Sequence, residues 1–81
     1  MKLPRDLSGS ELVAALAVLG YVVTRQTGSH VRLTTEQRGQ HHVTVPAHGA
    51  LRLGTLSAVL GDVAEHFGAT RTEIVKRLFE S

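Results

Sequence analysis

The chain has 81 residues, 42% of them hydrophobic and 20% charged, with a net charge of +2, enough for one domain with a modest core and too few for a second. Cysteine is absent, which excludes a disulfide framework and a thiolate zinc site and suits work in a reducing cytoplasm. Tyr21, Phe67 and Phe79 are the only aromatics, too few for a base-stacking platform, and the longest apolar run, Leu12 to Val23, is too short to span a bilayer and lacks the pattern of a signal peptide.

In chain order, Ser8-Gly9-Ser10-Glu11 reads as a capping box, with Leu7 and Leu12 at the staple positions. Leu12, Leu16 and Leu19 follow at helical spacing and Gly20 ends the pattern, so a first helix is expected over residues 7–20. The β-branched run after Tyr21, the turn signal Gln26-Thr27-Gly28-Ser29, and the alternation in His30–Thr34 and His42–Val45 predict three antiparallel strands within 21–46. Period-two alternation turns Val31, Leu33, Val43 and Val45 to the core and His30, Arg32, Thr34, His42 and Thr44 to the other face. Pro46 stops the last strand.

A second helix is expected over 54–67, with Leu56, Val59, Leu60, Val63 and Phe67 on its core face, and Gly68 ends it. Thr70-Arg71-Thr72-Glu73 is another capping box, opening a short third helix over 70–80. The predicted class is α+β, a single domain spanning 1–81 with helices on one face of a small antiparallel sheet and the opposite sheet face open.

Five histidines stand out: His30, His41, His42, His48 and His66. A zinc site built from His41, His42 and His48 conflicts with strand geometry, because adjacent residues point to opposite faces and no carboxylate lies near in sequence. No metal and no cofactor are therefore expected, and His66 reads as a solvated helix residue. His30 differs: it follows a glycine turn and stands on the open face beside Arg32. Imidazole exchanges a proton near neutral pH, and so suits a general base on a ribose 2′-hydroxyl or a general acid on a leaving 5′-oxygen. Arg25 or Arg32 would offset charge on the transition state.

The series Arg25-Gln26-Thr27-Gly28-Ser29-His30, Val43-Thr44-Val45-Pro46, His48, Leu53-Gly54-Thr55-Leu56 and Val59-Leu60, with Leu7-Ser8-Gly9-Ser10-Glu11-Leu12 and Leu19-Gly20-Tyr21 before it, resembles the HicA family. These are mRNA interferase toxins of HicA–HicB toxin–antitoxin pairs, and the likeness runs from about Leu7 to Phe79. The resemblance implies a double-stranded-RNA-binding-domain-like fold, α-β-β-β-α with a short C-terminal helix. It also implies metal-independent cleavage of messenger RNA with His30 as the catalytic residue, and a HicB-like antitoxin as protein partner. Gly28 and Ser29 would shape the catalytic turn.

Two positions depart from the family pattern: Thr27, where members often carry lysine, which removes one phosphate contact, and Val31, where many carry histidine or another polar residue. The segment from Leu60 to Thr70 is also longer than usual. The expected RNA contacts are Arg25, Gly28, Ser29, Arg32, His42 and His48, with Arg38 and Arg52 extending a basic track and the Gly54-Thr55 helix start offering backbone amides to a phosphate. His42, outward on its strand, reads as an ordinary surface histidine and is also the candidate for a supporting role beside His30. Two other readings remain open at this stage: a non-catalytic RNA-binding module, and a protein-interaction domain that would show no salt-dependent RNA affinity.

Overall fold

Local signals start two of the three helices. In the computed structural model, which describes residues 3–4 and 6–80, the Ser8 hydroxyl accepts from the Glu11 N–H and the Glu11 carboxylate accepts from the Ser8 N–H. Met1, Lys2, Arg5 and Ser81 of the expected 1–81 domain lie outside the described residues. Helix α1 runs over Gly9–Leu16 and continues as a 3-10 turn, Ala17–Leu19, ending at Gly20 in the left-handed conformation. It is shorter than 7–20 because the staple residue Leu7 and the extended cap Ser8 precede the first helical residue. Thr70 and Glu73 form the same reciprocal pair ahead of α3, Arg71–Phe79. Helix α2 spans Leu53–Phe67, one residue earlier than expected, and its N-cap Arg52 supplies no side-chain bond.

Between α1 and α2 lie β1 (Val22–Thr27), β2 (His30–Thr35) and β3 (His41–Pro46), one antiparallel sheet in the order β1-β2-β3. The fold is α+β, as the alternating pattern predicts. Leu12 and Leu16 from α1, Leu19 from the 3-10 turn, Leu56, Leu60 and Val63 from α2, Ile74 from α3, and Val31, Leu33, Val43 and Val45 from the sheet share one buried cluster. Burying branched apolar side chains on one sheet face stabilises the stack by roughly 25 cal/mol per Å² removed from water. Thr35 continues the inward parity and is fully buried; its hydroxyl donates to the Leu19 carbonyl at 2.7 Å and accepts from the Gln37 N–H, which satisfies it.

The helical layer sits toward β3, against which both α1 and α2 pack. Strand β1 is consequently exposed at all six residues, Val22 and Val23 included at 61% and 50%. The first turn is tighter than the predicted Gln26–Ser29: Gln26 and Thr27 belong to β1, and only Gly28 and Ser29 connect the strands. Gly28 has φ +58 and Ser29 does not have positive φ, the pattern of a type II′ hairpin turn whose twist matches that of the strands.

The opposite end of the sheet carries a polar cluster. The Tyr21 hydroxyl donates to His41 Nδ1 at 2.7 Å, and His41 Nε2 lies 3.5 Å from Asp62 Oδ1 on α2. His66 stacks on His41 with ring centroids 4.4 Å apart, and its Nε2–H donates to the Gln37 carbonyl. His66 is thus half-buried and packed, not a solvated helix residue; the α2 C-terminal turn brings it against the loop after β2. Asp62, remote from His41 in sequence, is close to it in space, and burial together with the nearby Asp62 charge pushes the Tyr21 hydroxyl up to about 12.

Candidate functional site

The site residues are set out by strand register. His30 is paired with Thr27 on one side and Pro46 on the other. The Ala47 N–H donates to the Ser29 carbonyl at 2.7 Å, so His30 and Pro46 form a non-hydrogen-bonded pair. That is the kind of position at which a proline, lacking an N–H, ends a strand without breaking the ladder. His30 is exposed on the face away from the helices, with the Pro46 ring beside it.

The next row along β2 holds Arg32, paired with Arg25 on β1 and Thr44 on β3. Strict alternation from Val22 would turn Arg25 toward the helical side. A register shift between Val23 and Arg25 adds Thr24 as an extra residue, and the bulge brings Arg25 to the outer face opposite Arg32. Directly opposed like charges destabilise a sheet, and no strand residue neutralises these two: β1, β2 and β3 contain no aspartate or glutamate. Among the described residues, the one ion pair is His41 with Asp62, at the far end of the sheet. The outer face therefore offers two fixed guanidinium groups with no internal counter-charge, an arrangement that suits an anionic ligand.

A third row contains Val22, Thr34 and His42. Thr34 faces outward, as alternation predicts, yet is only 7% exposed because its neighbours cover it. Thr34 Oγ1 lies 2.8 Å from Thr24 Oγ1 and 2.7 Å from His42 Nδ1, and the Thr24 hydroxyl donates to the Arg32 carbonyl at 3.4 Å. His42 is held two rows from His30, about 13 Å along the strands. The two imidazoles share a face but do not converge on one point.

His48 lies on the other side of the turn. Together with Ser10, Gln26, Gly28, Ser29 and Ala47 it lines an open cleft of about 360 Å³ between the turn and the start of α1. Several bonds hold this end together: Gly9 N–H to the Gly49 carbonyl at 3.2 Å, Ser10 Oγ to the Ala47 carbonyl at 3.4 Å, and Leu51 N–H to the Leu7 carbonyl at 2.8 Å. Gly9 is required by close approach, since a Cβ there would overlap the Pro46 carbonyl oxygen.

Gly28 and Ser29 thus bridge the two sides, with His30 on the open face and His48 on the helical side. Arg52 caps α2 just beyond the loop at this end. Arg38, with φ +56, is in the loop between β2 and β3 at the opposite end, near Gly68, and does not join the row of His30. Sequence reasoning missed the bulge at Thr24 and the threonine chain to His42. The signal available was the concentration of threonines at positions 24, 34 and 44.

Among the described residues, no group of three or more His, Asp or Glu side chains is placed to hold a metal ion, and no helix is long and apolar enough to cross a membrane. Compared with known protein families, residues 9–64 match the model described as HicA toxin of bacterial toxin–antitoxin. The match takes in α1, all three strands and most of α2. No curated protein and no solved structure matches the chain.

Proposed function

The chain belongs to the HicA family of bacterial toxin–antitoxin toxins, and we propose that it acts as a metal-independent endoribonuclease that cleaves messenger RNA in the cytoplasm and is neutralised by a HicB-like antitoxin. The observation that carries this reading is the position of His30, exposed on the open face of a sheet whose strands carry no carboxylate, in file with the Arg25–Arg32 pair.

In the proposed reaction the 2′-oxygen of the substrate's own ribose attacks the adjacent phosphorus. A P–O2′ bond forms and the P–O5′ bond breaks, with one proton leaving the 2′-hydroxyl and another reaching the 5′-oxygen. His30 carries the proton at one of these two oxygens. Arg25 and Arg32 hold the phosphate backbone and offset the charge that builds on the non-bridging oxygens. Gly28 supplies the positive φ that lets a two-residue turn present His30 at the strand's first position. Ser29 and His48 contact the backbone from the cleft side, and His42 contacts RNA farther along the outer face. The absence of acidic side chains from the strands supports a polyanionic substrate, because a folded domain gains nothing by opposing two arginines unless a ligand neutralises them.

The test is growth after induction of the wild-type chain and of His30→Ala. Arrest by the wild type, relieved both by His30→Ala and by co-expression of the antitoxin, is the expected result. Equal growth of cells carrying soluble, folded wild type and variant would overturn the reading. If RNA binding and toxicity both survive His30→Ala, the chain is a non-catalytic RNA-binding module instead.

A further inference from the structure

Strand β1 is an open edge. The order β1-β2-β3 pairs it on one side only, and among the described residues no loop backbone bonds to Val22–Thr27, so the N–H and C=O groups of its other side have no protein partner. Strand β3, at the other edge, lies against α1 and α2 and ends in Pro46, which has no N–H to offer. Val22 and Val23 on β1, and Val18 in the 3-10 turn that leads into it, are apolar side chains left at least half exposed. An open groove of about 410 Å³ borders this edge on the outer face, lined by Gly20, Val22, Thr24, Thr34, Glu36 and Gln37.

We infer that the β1 edge is a docking site for an extended acidic segment of the protein antitoxin, which joins the sheet as a fourth strand with a carboxylate opposite Arg25 and an apolar side chain over Val22. The inference rests on the reading of the chain as a toxin with such a partner. A strand edge asks for donors and acceptors in alternation at strand spacing, which another polypeptide supplies. RNA phosphates offer acceptors only and gain nothing from exposed valines. Charge selects the kind of polypeptide. Arg25 and Arg32 are paired with no strand carboxylate to neutralise them, so a second copy of β1 would bring two more guanidinium groups up to these and be repelled, whereas an acidic segment is attracted. Glu36 also lines the groove, so an apolar side chain rather than a second carboxylate suits the place over Val22. The bulge leaves Val22 and Arg25 in register with Thr34 and Arg32, which are two apart, so the segment carries its apolar and acidic residues two apart on one face. Seated there, the carboxylate takes the place of an RNA phosphate one row from His30.

The experiment uses the full chain carrying His30→Ala, so that it can be produced without its antitoxin, and the purified HicB-like antitoxin. Amide hydrogen exchange read by NMR should show that those amides of Val22–Thr27 that exchange fast in the free chain slow at least about tenfold in the complex. Arg25→Glu, added to that chain, should weaken antitoxin binding about tenfold or more and flatten its dependence on salt. Val22→Thr, which keeps a β-branched strand residue, should weaken it about threefold.

Antitoxin that binds while the fast β1 amides stay fast would overturn the inference and leave the toxin–antitoxin reading standing. Failure of the antitoxin to bind at all would overturn both. Slowing of the same amides without antitoxin, as the chain's own concentration rises or on addition of single-stranded RNA, would assign the edge to a second copy or to the substrate and would likewise overturn the inference.

Discussion

Two helical glycines with opposite surroundings offer a test of how the site end of the molecule is held. Gly9 is the first residue of α1 and Gly54 the second of α2. Replacing glycine by alanine in a helix is worth up to about 1 kcal/mol in propensity, and less in the first turn. At Gly54 an added Cβ meets nothing within 4 Å, so Gly54→Ala should stabilise the domain by a few tenths of a kcal/mol to about 1 kcal/mol.

At Gly9 the same Cβ would overlap the Pro46 carbonyl oxygen and lie 2.5 Å from Ala47 Cα and 2.8 Å from the Pro46 carbonyl carbon. All three are backbone atoms, and no side-chain rotation relieves the contact. Overpacking of this kind costs about 1–3 kcal/mol. It also pulls on the Gly9–Gly49 and Ala47–Ser29 bonds that tie the loop of His48 to the turn of His30. Net of propensity, Gly9→Ala should lower stability by about 1–2 kcal/mol, which for a domain of this size is a fall in Tm of about 4–8 °C per kcal/mol. Thermal unfolding followed by circular dichroism reads both variants. If Gly9→Ala melts at or above the wild-type temperature, the packing of α1 against the end of β3 is not as described.

Other perturbations report on the outer face and the caps. Arg25→Thr should raise stability by about 0.2–1 kcal/mol by relieving its opposition to Arg32, while weakening RNA binding and reducing the salt slope by about 0.7 for the lost single-strand phosphate contact; Thr27→Lys, directly opposite His30, should do the reverse to the slope. Hydrogen bonds from the Ser8 and Thr70 backbone amides, with help from the two cap hydroxyls, hold the Glu11 and Glu73 carboxyls below their ordinary value of 4.5. Because the folded pKa values are depressed, this stabilisation is fully present above about pH 4.5 and is lost as pH falls through the lower folded values. Ser8→Ala and Thr70→Ala should each cost about 1 kcal/mol near neutral pH and flatten that acid limb in urea titrations. Tyr21→Phe removes the buried donor to half-buried His41 and should cost about 1 kcal/mol. It should also remove Tyr21's share of the stability expected to be lost as pH rises from 10 toward about 12, because the raised Tyr21 pKa favours the neutral folded form.

What could be read in advance followed from how local each signal is. The Ser8–Glu11 and Thr70–Glu73 boxes are complete within four residues, so the sequence locates both caps, and the helices begin two residues and one residue inside the expected bounds of 7–20 and 70–80. The outward placement of His30, Arg32 and His42 needs only period-two alternation on strands that cover a core, and β2 and β3 obey it. Strand β1 does not, because Val-Val-Thr-Arg-Gln-Thr has no buried face to impose parity, and the bulge at Thr24 is settled by pairing with β2. The same limit hid the long-range contacts. Nothing near His41 in sequence announces Asp62 or His66, which α2 delivers from the other side of the domain. The approach of α1 to Pro46 was likewise invisible, although Gly9 is the residue that permits it.

The central claim is that His30 moves a proton in RNA cleavage on the open sheet face. Its most direct test is incubation of the purified chain, in chelator, with a defined single-stranded RNA, with the products resolved by mass. The account predicts fragments ending in 2′,3′-cyclic phosphate and 5′-hydroxyl from the wild type, and intact RNA from His30→Ala that binds it with unchanged salt dependence. Cleavage by His30→Ala at the wild-type rate, or fragments bearing 5′-phosphate, would contradict it.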